Sequence, residues 1–453
     1  MNQELWNKIL AFEFDNPPSE YGFSTRLANE NFWTKEFTSQ AILEYKKFMY
    51  LAATSEFMVS PSKIIDNVWH QHLIFTQSYQ NFCSILGKQI QHIPSTHNRE
   101  EFEKFKQAKE RTLKFYERNF GKQPKNIWTY NDMFESLNLK KSQLKLRTFI
   151  IFGILTFICL TVPAYFLLKP VYTQIDNPYF IFGFISLTLA TLLILEFYNK
   201  YKLKKIVSGF DATSFIYNLQ PFELVYLKTQ KLSNLINGTV NELVENGTIK
   251  VNENNSLELA KSIVTANNSQ LQVTSTLAEL GTTNYPNLLK KLSTKPIFWN
   301  IPNSMDAFKK YFNKSKKFGL LFYTNFAILT LLILLSFTRT VIVILRDKPV
   351  IQIVIATIVL VIITIVFLQR LTKQISTTTI PDSTDQVDER IRILMPEPTE
   401  LKILHHFSHF TTFEKVMMHD EIILNLSQAI GELITLLEKD ELHFESLKRA
   451  VSR

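Results

Sequence analysis

Four stretches with no Asp, Glu, Lys, Arg or His constrain this chain more than any other feature: Thr148–Leu168, Asn177–Leu195, Phe318–Thr338 and Pro349–Gln369. Each runs for about 20 residues, and at about 1.5 Å per residue that crosses a hydrocarbon core of about 30 Å. A helix lying on a soluble core shows charges on its wet face, and these show none. Spanning helices satisfy their own backbone groups while presenting apolar side chains to lipid, which suits such stretches. The expected fold class is mainly α: a polytopic membrane protein with four transmembrane helices, paired as hairpins over residues 148–195 and 318–369.

The rest divides into three segments expected to be cytoplasmic: 1–139, 208–315 and 389–453. The first two are each long enough for a core of their own. Met1–Phe14 is polar and acidic, without a basic start and apolar run, so membrane entry is expected through the first span. Lys140, Lys141, Lys145 and Arg147 precede the first hairpin, and Lys200, Lys202, Lys204 and Lys205 follow it. Lys309, Lys310, Lys314, Lys316 and Lys317 precede the second, and Arg370 and Lys373 follow it. This asymmetry places both termini and the insert on the cytoplasmic side of an inner membrane. Arg339, Arg346 and Lys348 in the second outer loop run against it. The net charge of +9 comes largely from these flanks and points to membrane lipids as partners rather than nucleic acid. Two cysteines, Cys83 and Cys159, suit a reducing compartment.

Residues 1–135 read as helical. Helices are expected over Thr38–Ala53, from the Ser60-Pro61 start to about Leu86, and over Glu100–Phe120, where Phe102, Phe105, Thr112, Tyr116 and Phe120 recur at helical spacing. In the insert, Pro221–Lys228 and Lys231–Glu245 read as helices, followed by strand, turn and strand over Gly247–Leu259. That is a winged-helix-like order. Its second helix carries Asn234, Asn237, Asn241 and Glu242 with almost no basic residue, which fits protein contact better than DNA. Ser376–Asp388 reads as a polar linker. In the tail, Ile423, Leu426, Ile430, Leu433, Leu437, Phe444, Leu447 and Val451 form a heptad seam interrupted by Asp440. A homo-oligomer through Ile423–Val451 is expected, so that removing Glu421–Arg453 lowers the mass seen by light scattering.

The densest set of chemically capable residues lies between Pro61 and Cys83. Asp66 and His70, four apart, share one helix face, while Trp69, His72, Thr76, Tyr79 and Cys83 run along another. Asp66 and His70 have ligand spacing, and His92 or His97 approaches from the following loop, giving a metal set of Asp66, His70 and His92. His70 and His72 sit about 200° apart around a helix and cannot both be ligands. The alternative is structural: an Asp66–His70 pair, with His72, Thr76 and Tyr79 in a buried polar network. His405, His406 and His409 read as surface residues.

The run Asp66-X-X-Trp69-His70-X-His72, with Tyr79 and Cys83, resembles the signature of the plant glycine-rich-domain-containing protein family, most closely its bacterial membrane version. Tyr21–Ser24, Arg26–Ala28, Tyr45–Ala52 and Arg111–Phe120 fit the same pattern, so the resemblance covers Leu10–Trp128. It implies an N-terminal helical module followed by spans, a segment like Leu219–Leu227, and further spans. It implies no reaction. The chain departs from that pattern in ending on a heptad helix and in holding only 11 glycines.

Nucleotide loops, dinucleotide fingerprints, hydrolase elbows and kinase motifs are absent from the sequence. Uncharged spans lack the parts of an ion relay, which argues against a transporter. The expectation is a membrane-anchored, non-enzymatic interaction or scaffold protein. The first alternative is a metal-dependent enzyme or sensor using Asp66, His70 and His92. The second is a membrane-tethered DNA-binding regulator.

Overall fold

A computed structural model describes residues 1–93, 99–254, 256–261 and 267–383. The heptad seam Ile423–Val451, the His405–His409 group, His97 and the domain expected over 389–453 lie outside the described residues.

The chain is mainly helical and divides into two compact units. In the N-terminal part of the first unit, helices α1 (Gln3–Leu10), α2 (Phe23–Asn31), α3 (Lys35–Thr54), α4 (Lys63–Ile74), α5 (Thr76–Leu86), α6 (Arg99–Phe120) and α7 (Lys125–Trp128) follow one another. Thr34 caps α3 by accepting from the Phe37 amide at 3.3 Å, and α3 then buries Ala41, Tyr45, Phe48 and Leu51 at three- and four-residue steps. Tyr45, Phe48, Phe82 and Tyr116 are among the largest side chains completely removed from solvent, so the core is aromatic.

Two charged residues sit in this core. Glu44, 3% exposed, accepts from the Tyr116 hydroxyl at 2.8 Å and the Trp128 indole at 2.7 Å, with Lys47 Nζ at 2.7 Å from its other oxygen. Lys46 donates to the carbonyls of Leu10 and Phe12, both at 2.7 Å, and so ties the segment after α1 onto α3.

The single helix expected from Ser60 to Leu86 is two. The cap is Ser62, which accepts from the Ile65 amide at 3.2 Å. Phe75, at φ −88° and ψ 65°, leaves helical geometry between α4 and α5 while its ring packs edge-on against Phe23.

Spans α8 (Leu146–Tyr172) and α9 (Asn177–Val207) lead to the insert, with α10 (Pro221–Thr229), α11 (Leu232–Glu245), β1 (Ile249–Val251), β2 (Ser256–Leu259), α12 (Asn268–Leu280), β3 (Thr283–Asn284), α13 (Tyr285–Leu292) and α14 (Pro296–Asn313). β1 and β2 form an antiparallel hairpin pairing Ile249 with Leu259, and β3, arriving after α12, pairs antiparallel with β2. Residues 1–141 and 203–317 form a single compact unit, joined by Asn303 donating to Asn29 at 3.0 Å and by Lys295 paired with Glu20 at 2.9 Å.

Glu223 makes a further link. It accepts from its own helix-capping Gln220 amide at 2.7 Å and from the Lys35 amide at the start of α3 at 3.0 Å, while wholly buried. Burial pushes its carboxyl up to about 7, against the downward pull of those amides. A carboxyl raised in the folded state contributes stability that is fully present below its unfolded value and lost as pH rises through the folded one. Melts of the full-length protein should therefore show about 3 kcal/mol less stability at pH 8 than at pH 4.5, relative to Glu223→Gln. A pH profile identical in both proteins refutes this.

The expected linker Ser376–Asp388 is a correction over its described part. Ile375–Thr379 forms a π-helical turn and Ile380–Ser383 a helical turn, and both pack on α10 with Ile375, Ser376 and Ile380 wholly buried. Buried apolar residues at either side of the polar Ser-Thr-Thr-Thr run make it an anchor rather than a spacer.

The second unit holds α8, most of α9, α15 (Lys316–Ile344) and α16 (Ile351–Gln374), four helices long and apolar enough to cross a membrane. Gly153 lets α8 approach α15 closely, since a Cβ there would lie 2.3 Å from the Phe326 ring. Asn199 and Asn325 exchange amide hydrogen bonds at 2.9 and 2.7 Å between α9 and α15, and Ser336 meets Thr357 at 2.6 Å between α15 and α16. Arg339 is buried despite its charge. It donates to the carbonyls of Tyr172 and Ile175 and to Asn177 Oδ1, with its guanidinium 5.0 Å from the Phe180 ring centre.

Candidate metal centre

Helix α4 sorts the motif residues onto opposite sides. His72 points inward and is wholly buried, while the His70 side chain is 56% exposed. The 200° offset of an i, i+2 pair is therefore realised, and only one of the two histidines is available to solvent.

His72 belongs to the core. Its Nδ1 shares a hydrogen bond with the Tyr45 hydroxyl at 2.9 Å and its Nε2 with Ser78 Oγ at 3.1 Å, within a cage of Phe14, Phe23, Tyr79 and Phe82 rings. Burial lowers its imidazole to about 4, so it is neutral at physiological pH. Thr76, expected in this network, is exposed. The break at Phe75 shifts the phase of α5 relative to α4, and Ser78 takes the place that a continuous helix would have given Thr76. Cys83 is buried beside Tyr79.

His72→Ala should cost about 2–4 kcal/mol of stability, because it opens a cavity and strands the Tyr45 hydroxyl. His70→Ala should cost less than about 0.5 kcal/mol, since its pair with Asp66 is solvated. Chemical melts decide between these. Equal losses from both variants would contradict the division into a buried and an exposed face.

On the outer side, Asp66 Oδ1 lies 2.9 Å from His92 Nε2 and 3.6 Å from His70 Nε2. One ligand atom from each of the three residues falls within 4.8 Å of the others. A metal bound at about 2.0–2.2 Å from each ligand holds those atoms about 3–3.5 Å apart, so only small side-chain adjustments separate this cluster from a coordination sphere. Two imidazoles and one carboxylate leave further coordination positions open, the set that non-haem iron and related divalent metals use.

The second carboxylate oxygen of Asp66 is 3.1 Å from Lys63 Nζ. Burial raises the Asp66 carboxyl, but hydrogen bonds from His92 and Lys63 outweigh it and hold the group below the ordinary carboxylate range. It is thus ionised and ready as a ligand. An ionised carboxylate can only accept, so the 2.9 Å contact calls for an N–H at His92 Nε2, and a bound metal would take that proton's place.

His92 comes from the loop after α5, and the core places it. The Trp69 indole donates to the Tyr79 hydroxyl at 3.1 Å, and that hydroxyl donates to the Ile90 carbonyl two residues before His92. The His92 ring then stands edge-on to Trp69, 4.6 Å between centres, with its side chain 13% exposed. On the other side, Thr112 Oγ1 of α6 accepts from the Ser60 amide at 2.9 Å and fixes the chain entering α4. Trp69 and Tyr79, conspicuous in the sequence, thereby position His92, the third candidate ligand.

The cluster sits on the wall of a cleft of about 850 Å³, between the 55–63 segment, the 88–93 loop and α6. Residues 23–128 match the model of a family described as UCP032817-like, a stretch that contains all three candidate ligands and ends before α8. No curated protein and no solved structure matches the chain.

Lys63 pairs with Asp66 from three residues earlier on the same helix, a spacing that is itself the local signal for the contact. Phe105 is legible as part of the α6 stripe, but nothing local places it or Lys109 on the cleft's far wall.

Proposed function

We propose that this is a membrane-anchored metal protein whose cytoplasmic helical module binds one divalent transition metal at Asp66, His70 and His92. Its open coordination positions face the cleft, where a small ligand is captured for sensing. The observation that carries this reading is the convergence of the three ligand atoms within 4.8 Å at the cleft wall. It favours the metal-dependent alternative over the plain scaffold. Elemental analysis of the full-length protein, purified in detergent and exposed to Fe(II), Co(II), Mn(II) or Zn(II), should give one equivalent of metal. Protein that stays metal-free in all four would return the module to a non-enzymatic scaffold.

The finer relationship to the glycine-rich-domain family, the inner-membrane location and the winged-helix character of the insert belong to the same proposal. Support for the winged-helix order comes from α10, α11 and the β1–β2 hairpin. Burial of Asn234, Asn237 and Asn241 within the first unit argues that α11 is no DNA-reading helix.

Orientation is proposed with both termini cytoplasmic. The two arginines that run against the charge rule are used by the neighbouring hairpin: Arg339 as described, and Arg346 by donating to the Thr173 carbonyl at 3.2 Å. They tie both hairpin turns together at one end of the second unit. Reporter fusions at Thr173 and Arg346 should then be extracytoplasmic, and those at Gly209, Asn254 and Arg453 cytoplasmic. Opposite signals at Thr173 and Arg346 would end this topology.

A further inference from the structure

We infer that the ligand taken by the metal-loaded cleft is an organic carboxylate with an apolar body, one carboxylate oxygen replacing water on the metal. This rests on the metal reading above and adds the ligand's chemistry to it.

The first argument is charge. Besides the candidate ligands, the charged residues lining the cleft among the described residues are Lys63, Lys88, Lys109 and Glu56. Three ammonium groups against one carboxylate leave an excess of two positive charges. A divalent ion held by a single carboxylate, Asp66, adds one more. An uncompensated excess of this size in a concave site attracts anions. Lys63 is the best placed: its Nζ stands 3.1 Å from the free oxygen of Asp66 and its side chain is 55% exposed. It can turn from Asp66 toward an anion on the metal without losing any buried contact.

The second argument is the wall. Phe57, Met58, Val59, Ile90, Ile93 and Phe105 line the same cleft. Phe57 and Ile93 are substantially exposed, at 37% and 61%. A bare inorganic anion would leave these side chains wet and fill little of about 850 Å³, a volume within the range of small-molecule sites. A cleft with polar groups converging at one end and an apolar remainder orients a ligand that has the same division. Tyr79 holding the Ile90 carbonyl sets both the metal ligand His92 and the apolar Ile90 and Ile93 on one loop, so head and body of the ligand are read by a shared element.

The third argument concerns the metal. With three protein ligands, a site of this type retains exchangeable positions. A carboxylate is the hard, anionic donor that such positions accept, and it neutralises part of the excess charge.

The test uses full-length protein in nanodiscs loaded with one equivalent of Co(II), whose visible spectrum reports directly on metal ligation. Loading is verified first by elemental analysis, so a failed metal site is recognised before any ligand is added. Titration with 4-phenylbutyrate should change the Co(II) spectrum saturably. Its neutral amide should produce no change, and inorganic phosphate should need at least about ten-fold higher concentration. In samples again verified to hold one Co(II), Lys63→Ala should weaken 4-phenylbutyrate about five- to ten-fold. Phosphate binding as well as 4-phenylbutyrate, or the amide binding equally, overturns the inference. So does a loaded protein that responds to none of the three. In each of those outcomes a one-to-one Co(II) content leaves the metal centre itself standing.

Discussion

His92→Ala should lower divalent-metal affinity by more than about 100-fold while leaving the fold intact. Outer-shell partners of metal ligands already cost 10–100-fold when removed, and His92 is one of the three candidate ligands that converge among the described residues. It lies on a loop, and besides its hydrogen bond to Asp66 its ring stands against Trp69 and His70 at the cleft wall. The melting temperature should therefore move little. Asp66→Ala should be as severe for the metal, because it removes the one carboxylate of the three candidate ligands among the described residues. Tyr79→Phe gives a graded test. It keeps every ligand but releases the Ile90 carbonyl that positions His92, so affinity should fall about ten-fold with stoichiometry preserved. Isothermal titration with Zn(II) or Co(II) measures all three. Wild-type affinity in His92→Ala would show that the cluster is an ordinary hydrogen-bonded surface group.

Glu44→Ala should be the most destabilising substitution in the helical module, at about 3–5 kcal/mol. The carboxylate is 3% exposed and receives the Tyr116 hydroxyl, the Trp128 indole and the Lys47 ammonium. Removing it strands two buried donors and leaves a half-buried cation uncompensated, and each such loss costs about 1–3 kcal/mol. Three elements separate as a result, since Glu44 is on α3, Tyr116 on α6 and Trp128 on α7. Burial together with the nearby Glu44 carboxylate already holds the Tyr116 hydroxyl well above its ordinary range, so it stays protonated as a donor. Glu44→Gln keeps an acceptor for one donor and should lose about half as much. Urea melts of the full-length protein, followed by tryptophan fluorescence, would show the difference. A loss below about 1 kcal/mol for Glu44→Ala would mean that the donors find water instead.

The two substitutions differ in how visible their residues are in the sequence. His92 was nameable because histidine is scarce and chemically distinctive, and because Asp66 and His70 already share a helix face. Glu44 looked like any polar residue between hydrophobic ones. Its partners lie 72 and 84 positions away, and nothing local signals them. Glu223, bonded to an amide 188 positions distant, was equally hidden. The misplacement of Thr76 has a different cause. A run without glycine or proline reads as continuous helix, yet the helix breaks at Phe75, whose ring packs edge-on against Phe23. That preference comes from packing, not from propensity.

The sequence by itself determined the four helices long and apolar enough to cross a membrane, the helical class of the module and the opposition of His70 and His72. These depend on hydropathy and on helical periodicity, which are local properties of neighbouring residues. Only the tertiary structure decided that His92 meets Asp66 and His70, that Tyr79 and Trp69 hold it there, and that the 1–141 and 203–317 segments form one unit. Each of those depends on a buried polar group finding one particular partner across the chain. Desolvation makes that match compulsory, but only the assembled core specifies which partner it is.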